Sequence, residues 1–227
     1  GYLKTPAQDF ESIRSEPAVI VSSTFPDNGI IQTMMMLASI ADIQRGDLSN
    51  LKKEGVQEME DVGRKIILAV PYYGYARQDK RFSAGEVVAA GVIASHLSNA
   101  CDGIVILDIH EPKVLENIEH PIRCVTAVPE IANWLREEVN PDFILSPDKG
   151  AVERARNVAE LIDVPYSYLE KKRIDAHTIE HSPKDLDVSG KVVAIVDDMI
   201  STGGTICRAS DALRRQGAVE VLSLIHI

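Results

Sequence analysis

Lys191-Val-Val-Ala-Ile-Val-Asp197-Asp198-Met-Ile-Ser201-Thr202-Gly203-Gly204-Thr205 decides how the rest of the chain is read. A run of mostly β-branched apolar residues, Val192 to Val196, ends in two adjacent carboxylates. A Ser/Thr/Gly turn follows, and a helical pattern then runs from Ile206 to Gln216 before Gly217 closes it. Strand, loop and helix start, in that order, form the unit with which open parallel α/β sheets bind ligands at the carboxyl ends of their strands. Free N–H groups at a helix start, beside two glycines that let a ligand approach the backbone, suit a phosphate. Asp197 and Asp198 repel a phosphate, so their own partner is a sugar hydroxyl or a metal ion. The loop reads as a receptor for a sugar phosphate. The plainer alternative is an ordinary turn capped by Ser201 or Thr202, but a cap explains neither the paired acids nor the double glycine.

The same alternation runs through the chain. Apolar runs of strand length lie at Ala18–Ser22, Lys65–Val70, Gly103–Asp108, Phe143–Ser146, Tyr166–Glu170 and Val192–Val196. Helical periodicity lies at Ile30–Gln44, Glu86–Leu97, Val128–Glu137, Ala151–Leu161 and Thr205–Gln216. This order predicts an α/β fold of parallel sheets covered by helices on both faces. Arg77–Phe82 and Asp197–Thr205 each follow an apolar strand and precede a helix. That likeness predicts two domains of similar fold, residues 1–126 and 127–227, with the active site between them. The Met34–Met36 triplet falls on an apolar helical run and reads as packing.

At 227 residues the chain can bury a substantial core, and 45% apolar with 26% charged residues is ordinary for a soluble globular protein. A net charge of −10 argues against nonspecific nucleic-acid binding. Cys101, Cys124 and Cys207 show neither CxxC nor zinc spacing. They form no disulfide framework, fit a reducing cytoplasm and read as small core residues. No apolar run reaches the roughly 18 residues of a membrane span and no signal peptide is visible, so a cytoplasmic location without membrane partners is expected. With no GxxxxGK[ST] loop and no GxGxxG, a nucleotide is bound by another route.

The Asp197–Thr205 stretch resembles the phosphoribosyl-pyrophosphate motif of type I phosphoribosyltransferases and ribose-phosphate pyrophosphokinases. In that family the two acids hold the ribose 2- and 3-hydroxyls and the Ser/Thr/Gly loop cradles the 5-phosphate. The resemblance implies that Asp197 and Asp198 take the hydroxyls of ribose 5-phosphate, while Ser201, Thr202, Gly203, Gly204 and Thr205 take its phosphate. The motif alone does not separate making the activated sugar from consuming or sensing it.

Three further segments bear on that choice. In Pro71-Tyr-Tyr-Gly-Tyr-Ala-Arg77-Gln78-Asp79-Lys80-Arg81-Phe82, local cations in an acidic chain point to an anionic guest, or else to a solvated basic loop over packed tyrosines. The string from Tyr75 to Lys80 is similar to the ATP-binding segment of ribose-phosphate pyrophosphokinases, which implies Arg77, Gln78, Asp79 and Lys80 as ATP ligands. Simple phosphoribosyltransferases lack it. In Val105-Ile-Leu-Asp108-Ile-His110, the two polar residues fall on one face if the strand continues through them. The plainer reading is an edge histidine beside a capping acid. The family carries Asp-x-His here and uses the histidine near the magnesium of the nucleotide, so His110 and Asp148, from Ser146-Pro-Asp-Lys-Gly150, are the implied metal-site residues. Mg²⁺ prefers oxygen and water, which makes Asp148 the more conventional ligand. Lys149 and the helix start at Ala151 offer the same loop a second use as an anion site. Third, Tyr168-Leu-Glu-Lys171-Lys172-Arg173 is a solvated basic strand end by composition. Against the family it looks like the start of the flexible catalytic loop, with Lys171 and Arg173 closing over the transferring diphosphoryl group.

Taken together, the resemblance implies a ribose-phosphate diphosphokinase built of two tandem phosphoribosyltransferase-like domains. Its implied substrates are Mg-ATP and ribose 5-phosphate, its cofactor Mg²⁺ and its state a homo-oligomer. A phosphoribosyltransferase and a non-catalytic regulatory relative are the alternatives. Glu170-Lys-Lys-Arg-Ile and Asp148-Lys-Gly-Ala-Val-Glu look closest to the archaeal-type branch, from which Arg45–Gly63 departs as a surface insertion with an expected helix from Leu48 to Glu60. The family carries further structure before Gly1 and after Val221, so both domains are expected to be incomplete. Leu222-Ser-Leu-Ile-His-Ile227 fits a strand, and also matches codon for codon a translated transposon adapter, which predicts an open-ended fragment.

Overall fold

The computed structural model describes residues 10–45, 65–173, 179–183, 187–200 and 202–225. The helix expected within 48–60, the hydroxyl of Ser201 and the last two residues lie outside them. The chain forms two compact units, Gly1–Val125 and Thr126–Ile227.

In the first unit, β1 (Ala18–Val21), β2 (Ile66–Val70), β3 (Gly103–Leu107) and β4 (Ile122–Val125) form a parallel sheet in that order. The helices are α1 (Phe10–Ser15), α2 (Asp27–Arg45) and α3 (Ala89–Ser98). Strands consecutive in sequence are neighbours in the sheet, so right-handed crossovers bring α2 and α3 to the same face. Burial follows the two-residue period of the strands. Ile66, Leu68, Val70, Ile104 and Ile106 are at most 5% exposed, whereas Val19 and Val21 stand 65% and 67% exposed. Among the described residues α2 and α3 thus share one face of this sheet. Along α2 the buried stripe is Thr33, Leu37, Ala41 and Gln44. Met35 lies outside that stripe, about half exposed, and the methionine triplet does not form the packed face.

In the second unit the sheet order is β7-β6-β5-β8-β9, with β5 (Phe143–Ser146), β6 (Tyr166–Arg173), β7 (Ile179–Pro183), β8 (Val192–Val196) and β9 (Glu220–Leu224). All neighbours are parallel except β6 and β7. From β5 the chain moves outward to β6; from β8 it moves outward to β9, in the opposite direction. The intervening helices α5 (Val152–Ile162) and α6 (Gly204–Arg215) therefore fall on opposite faces. Core packing bears this out. Ile144, Ala194 and Val196 pack with α4 (Val128–Trp134), α5 and Leu135 in the π-helical turn that follows α4, while the alternate residues Leu145, Val193 and Ile195 pack with Ala209 and Leu213 of α6. Asp142 fixes the β5–β8 pairing by accepting the Val192 N–H at 2.9 Å and the Lys191 ammonium at 3.1 Å.

Among the described residues no helix is long and apolar enough to cross a membrane. All three cysteines are free, but Cys124 on β4 and Cys207 on α6 are exposed, against the expectation of core positions.

Candidate functional site

The β5–β8 junction is where the direction of chain travel reverses, and in an open α/β sheet such a switch point leaves a crevice beyond the carboxyl ends of its strands. Asp148 follows β5 and the Asp197–Asp198 pair follows β8, so three carboxylates meet at that crevice. Asp198 is 8% exposed. Its N–H donates to Asp197 Oδ1 at 2.8 Å. Burial, the contact with the Asp198 side chain and the negative charges of Asp198 and Asp148 push the Asp197 carboxyl up to about 7. The backbone of Asp197 is held by its own N–H, which donates to the Leu224 carbonyl at 3.1 Å.

Beyond the acids the chain reaches Thr202 and Gly203. Gly203 adopts φ +75°, a left-handed conformation that glycine takes at no steric cost, and α6 begins at Gly204. The N-cap residue, Gly203, has no side chain with which to cap α6, so the cap position itself leaves first-turn N–H groups to other partners. Asp148, on the neighbouring strand end, is self-braced: its Oδ1 accepts from Gly150 N–H at 2.9 Å, and Ser146 Oγ donates to its carbonyl at 2.6 Å. Among the described residues no three His, Cys, Asp or Glu side chains are grouped so that they could hold a metal ion by themselves. Mg²⁺ characteristically needs no such group, since it keeps several waters and binds through one or two carboxylates plus substrate phosphates.

Lys171 and Arg173 lie near the end of β6, where Lys171 pairs with His181 and Arg173 with Ile179 across the antiparallel β6–β7 ladder. The basic strand end thus runs on into a hairpin arm. Their side chains, and residues 174–178, lie outside the described set.

In the first unit the segment after β2 is built on a tight backbone clamp. Thr24 N–H donates to Tyr72 O at 3.1 Å, and Gly74 N–H donates to Thr24 Oγ1 at 2.7 Å. Tyr73 is buried with its hydroxyl donating to Ala90 O at 2.7 Å, and burial pushes that phenol well above its ordinary value. Tyr75 sits at φ +62°, with the Asp27 carboxylate raising its phenol. Arg77 and Gln78 are exposed on this clamped base. Lys80 stands over the Phe82 ring at 5.3 Å. The Glu86 carboxylate accepts from Phe82 N–H at 2.6 Å and Ser83 N–H at 3.1 Å, which closes the loop. Asp79 and Lys80 line a groove of about 1180 Å³ with residues of α3 and of the segment 111–121; Arg77, Gln78 and His110 do not line it.

The strand geometry expected for Asp108 and His110 is not found. β3 ends at Leu107 and Asp108 turns to φ +46°, so the alternation that would have set both side chains on one face stops before either. Asp108 is buried at 9% exposure and His110 is exposed. Sequence reasoning passed over Thr24, whose hydroxyl holds Gly74, and Arg208, which stands beside Gly204. The second leaves a signal, since residues four apart share a helix face.

Fold and site together define an α/β protein of the phosphoribosyltransferase type, and the model of the phosphoribosyl transferase domain matches residues 114–226. Over 218 residues the chain is 36% identical to a ribose-phosphate pyrophosphokinase of Methanopyrus kandleri, covering 92% of this chain and 75% of the relative. It is 35% identical over 210 residues to that of Pyrococcus abyssi, covering 92% and 67% respectively. The crystal structure of phosphoribosylpyrophosphate synthetase from Mycobacterium smegmatis superposes with a TM-score of 0.70 at 26% identity, over 92% of this chain and 64% of that one. The chain belongs to the ribose-phosphate pyrophosphokinase family.

Proposed function

We propose that the chain carries the substrate-binding parts of a ribose-phosphate diphosphokinase, which moves the β,γ-diphosphate of Mg-ATP to the C1 hydroxyl of ribose 5-phosphate. The observation that carries this is the pairing, at one switch-point crevice, of a half-buried and a buried acid with a helix that starts on two glycines. Asp197 and Asp198 suit vicinal hydroxyls, and the loop through Thr205 suits the 5-phosphate. Arg77, Gln78, Asp79 and Lys80 are the residues proposed for ATP. Arginine's planar fork fits phosphate oxygens, and Gln78 offers both donors and an acceptor.

In the reaction, the C1 oxygen attacks the β-phosphorus in line. The bond from that phosphorus to the α–β bridging oxygen breaks, and its electron pair leaves on AMP. The hydroxyl proton passes to a carboxylate of the acid pair or to water. No covalent enzyme intermediate is required, because positioning and charge stabilisation supply most of the catalysis of phosphoryl transfer. Asp148 and His110 are the proposed metal-site residues, and Mg²⁺ when bound supplies positive charge to the phosphates. Lys171 and Arg173 are proposed to meet the charge developing on the bridging oxygen. A cytoplasmic homo-oligomer goes with this function.

The direct test measures AMP formed from ATP and ribose 5-phosphate, with and without Mg²⁺. Formation that needs both substrates supports the proposal. Release of diphosphate from phosphoribosyl pyrophosphate with a purine or pyrimidine base, and no AMP from ATP, would turn the assignment to a phosphoribosyltransferase. Lys171→Ala is expected to lower turnover about 10³-fold, within the range for removing one preorganised cation from a phosphoryl-transfer site, while ribose 5-phosphate affinity changes less than threefold. Unchanged turnover in that variant removes the β6 arm from the mechanism.

A further inference from the structure

We propose that Arg208 is a further phosphate-binding residue of the α6 loop, one that sets the preference for a phosphorylated over a free sugar; this rests on the assignment of that loop to ribose 5-phosphate. Arg208 lies one helical turn beyond Gly204. Side chains on a helix lean toward its N-terminus, over the turn before their own Cα. Here that lean brings the guanidinium to the start of α6: a Cβ built on Gly204 would lie 3.5 Å from Arg208 Nη1 and 3.7 Å from Nη2, with Thr202 Oγ1 3.8 Å away. A guanidinium fork and a hydroxyl thus flank one point at the first residue of the helix, on a position without a side chain of its own.

Arg208 is exposed, so solvent screens its charge, and an anion at the helix start would be favoured by both groups. The amino end of an α-helix carries partial positive charge, and a cation there is disfavoured. Among the described residues no carboxylate forms an ion pair with Arg208, Asp211 one turn further on included. A phosphate seated on the first-turn N–H groups would meet the helix charge and the arginine together, and the planar fork can take two of its oxygens at once.

Calorimetry on the 227-residue chain with ribose 5-phosphate, with unphosphorylated ribose and with ATP tests this. Arg208→Ala is expected to weaken ribose 5-phosphate about 10- to 30-fold, the size of one charge-assisted hydrogen-bonded contact. Arg208→Lys, keeping the charge but not the fork, is expected to recover part of that loss. ATP affinity and the thermal midpoint stay as in the parent, and the salt dependence of ribose 5-phosphate binding becomes shallower in the alanine variant. Arg215→Ala, the same loss of charge at the far end of α6, leaves all of these unchanged. Equal ribose 5-phosphate affinity in the parent and Arg208→Ala overturns the proposal and leaves the loop assignment standing. A parent chain that binds ribose 5-phosphate no better than ribose overturns both.

Discussion

Gly74→Ala is expected to lower the thermal unfolding midpoint by roughly 6–12 °C, corresponding to about 3 kcal/mol in a chain of this size. A Cβ at this position would lie 2.2 Å from the Thr24 carbonyl oxygen and 3.0 Å from its carbon, distances at which backbone must move. The obstacle is a peptide group pinned from both sides, not the end of a flexible side chain. Thr24 N–H is bonded to Tyr72 O, and its hydroxyl accepts from Gly74 N–H. Relieving the clash means opening the clamp that joins the loops after β1 and β2. Gly85→Ala provides the contrast. Gly85 sits at φ +88° with nothing within 4 Å, so its substitution costs conformational strain alone, on the order of 1 kcal/mol. Because Arg77–Lys80 continues directly from the clamp, Gly74→Ala should also weaken ATP binding while leaving ribose 5-phosphate binding in the second unit intact. Differential scanning fluorimetry reads the first effect and calorimetry the second. Midpoints for the Gly74→Ala and parent chains within roughly 2 °C of each other would show that the two loops separate easily, contrary to the geometry.

How far the sequence foretells this architecture depends on what stabilises each element. β8 and α6 are legible because their pattern is redundant: a continuous apolar strand, then a helix whose Ala209, Ala212 and Leu213 define one buried stripe. Cys207 falls outside that stripe, and attention to the helical wheel would have placed it in solvent. β4 and β7 escaped notice for a common reason. Ile122-Arg-Cys-Val and Ile179-Glu-His-Ser-Pro are short edge segments, four and five residues long, held by backbone pairing to a neighbour, and that interaction leaves little mark in residue type. The same pairing extends β6 from the expected Glu170 to Arg173. Asp108 shows the converse limit. Its neighbours are strand-forming, yet its own φ of +46° ends the strand, and asparagine-like tolerance of left-handed backbone is all that hints at it. The loop itself was readable because its chemistry is local, with acids, hydroxyls and glycines in one run. The approach of Arg208 to Gly204 was not, since it depends on a rotamer as well as a spacing. Sheet order had to come from the structure, and sheet order is what turns three separately noticed aspartates into neighbours at one crevice.

Asp197→Asn is expected to make the fold more stable at pH 8 while cutting ribose 5-phosphate affinity at least 100-fold. The Asp197 carboxyl is lifted from 3.8 to about 7 because it is buried, touches the Asp198 side chain and feels the negative charges of Asp198 and Asp148; the Asp198 N–H offsets only part of this. In the unfolded chain the group ionises near 3.8, in the folded chain near 7. Between those values the unfolded state holds fewer protons, so stability falls as pH rises. The favourable contribution is full below about 4 and gone above about 7. A neutral amide of nearly the same shape abolishes that dependence, and its N–H₂ can donate to Asp198 where a second carboxylate could only repel. Discounted for partial exposure of the site, the gain at pH 8 is about 1–2 kcal/mol, or roughly 2–8 °C in the midpoint. At pH 4 the two chains should melt together. The loss of affinity has the same origin as the gain in stability: an ionised carboxylate accepts two sugar hydroxyls strongly, and maintaining that acceptor beside two other acids strains the empty site. Melting curves from pH 4 to 8, with and without ribose 5-phosphate, read both effects in one experiment. A stability difference that does not change with pH would mean that Asp197 ionises freely in the folded chain. The acids would then be a solvated surface cluster, and the crevice at the β5–β8 switch point would lose its claim to bind a sugar.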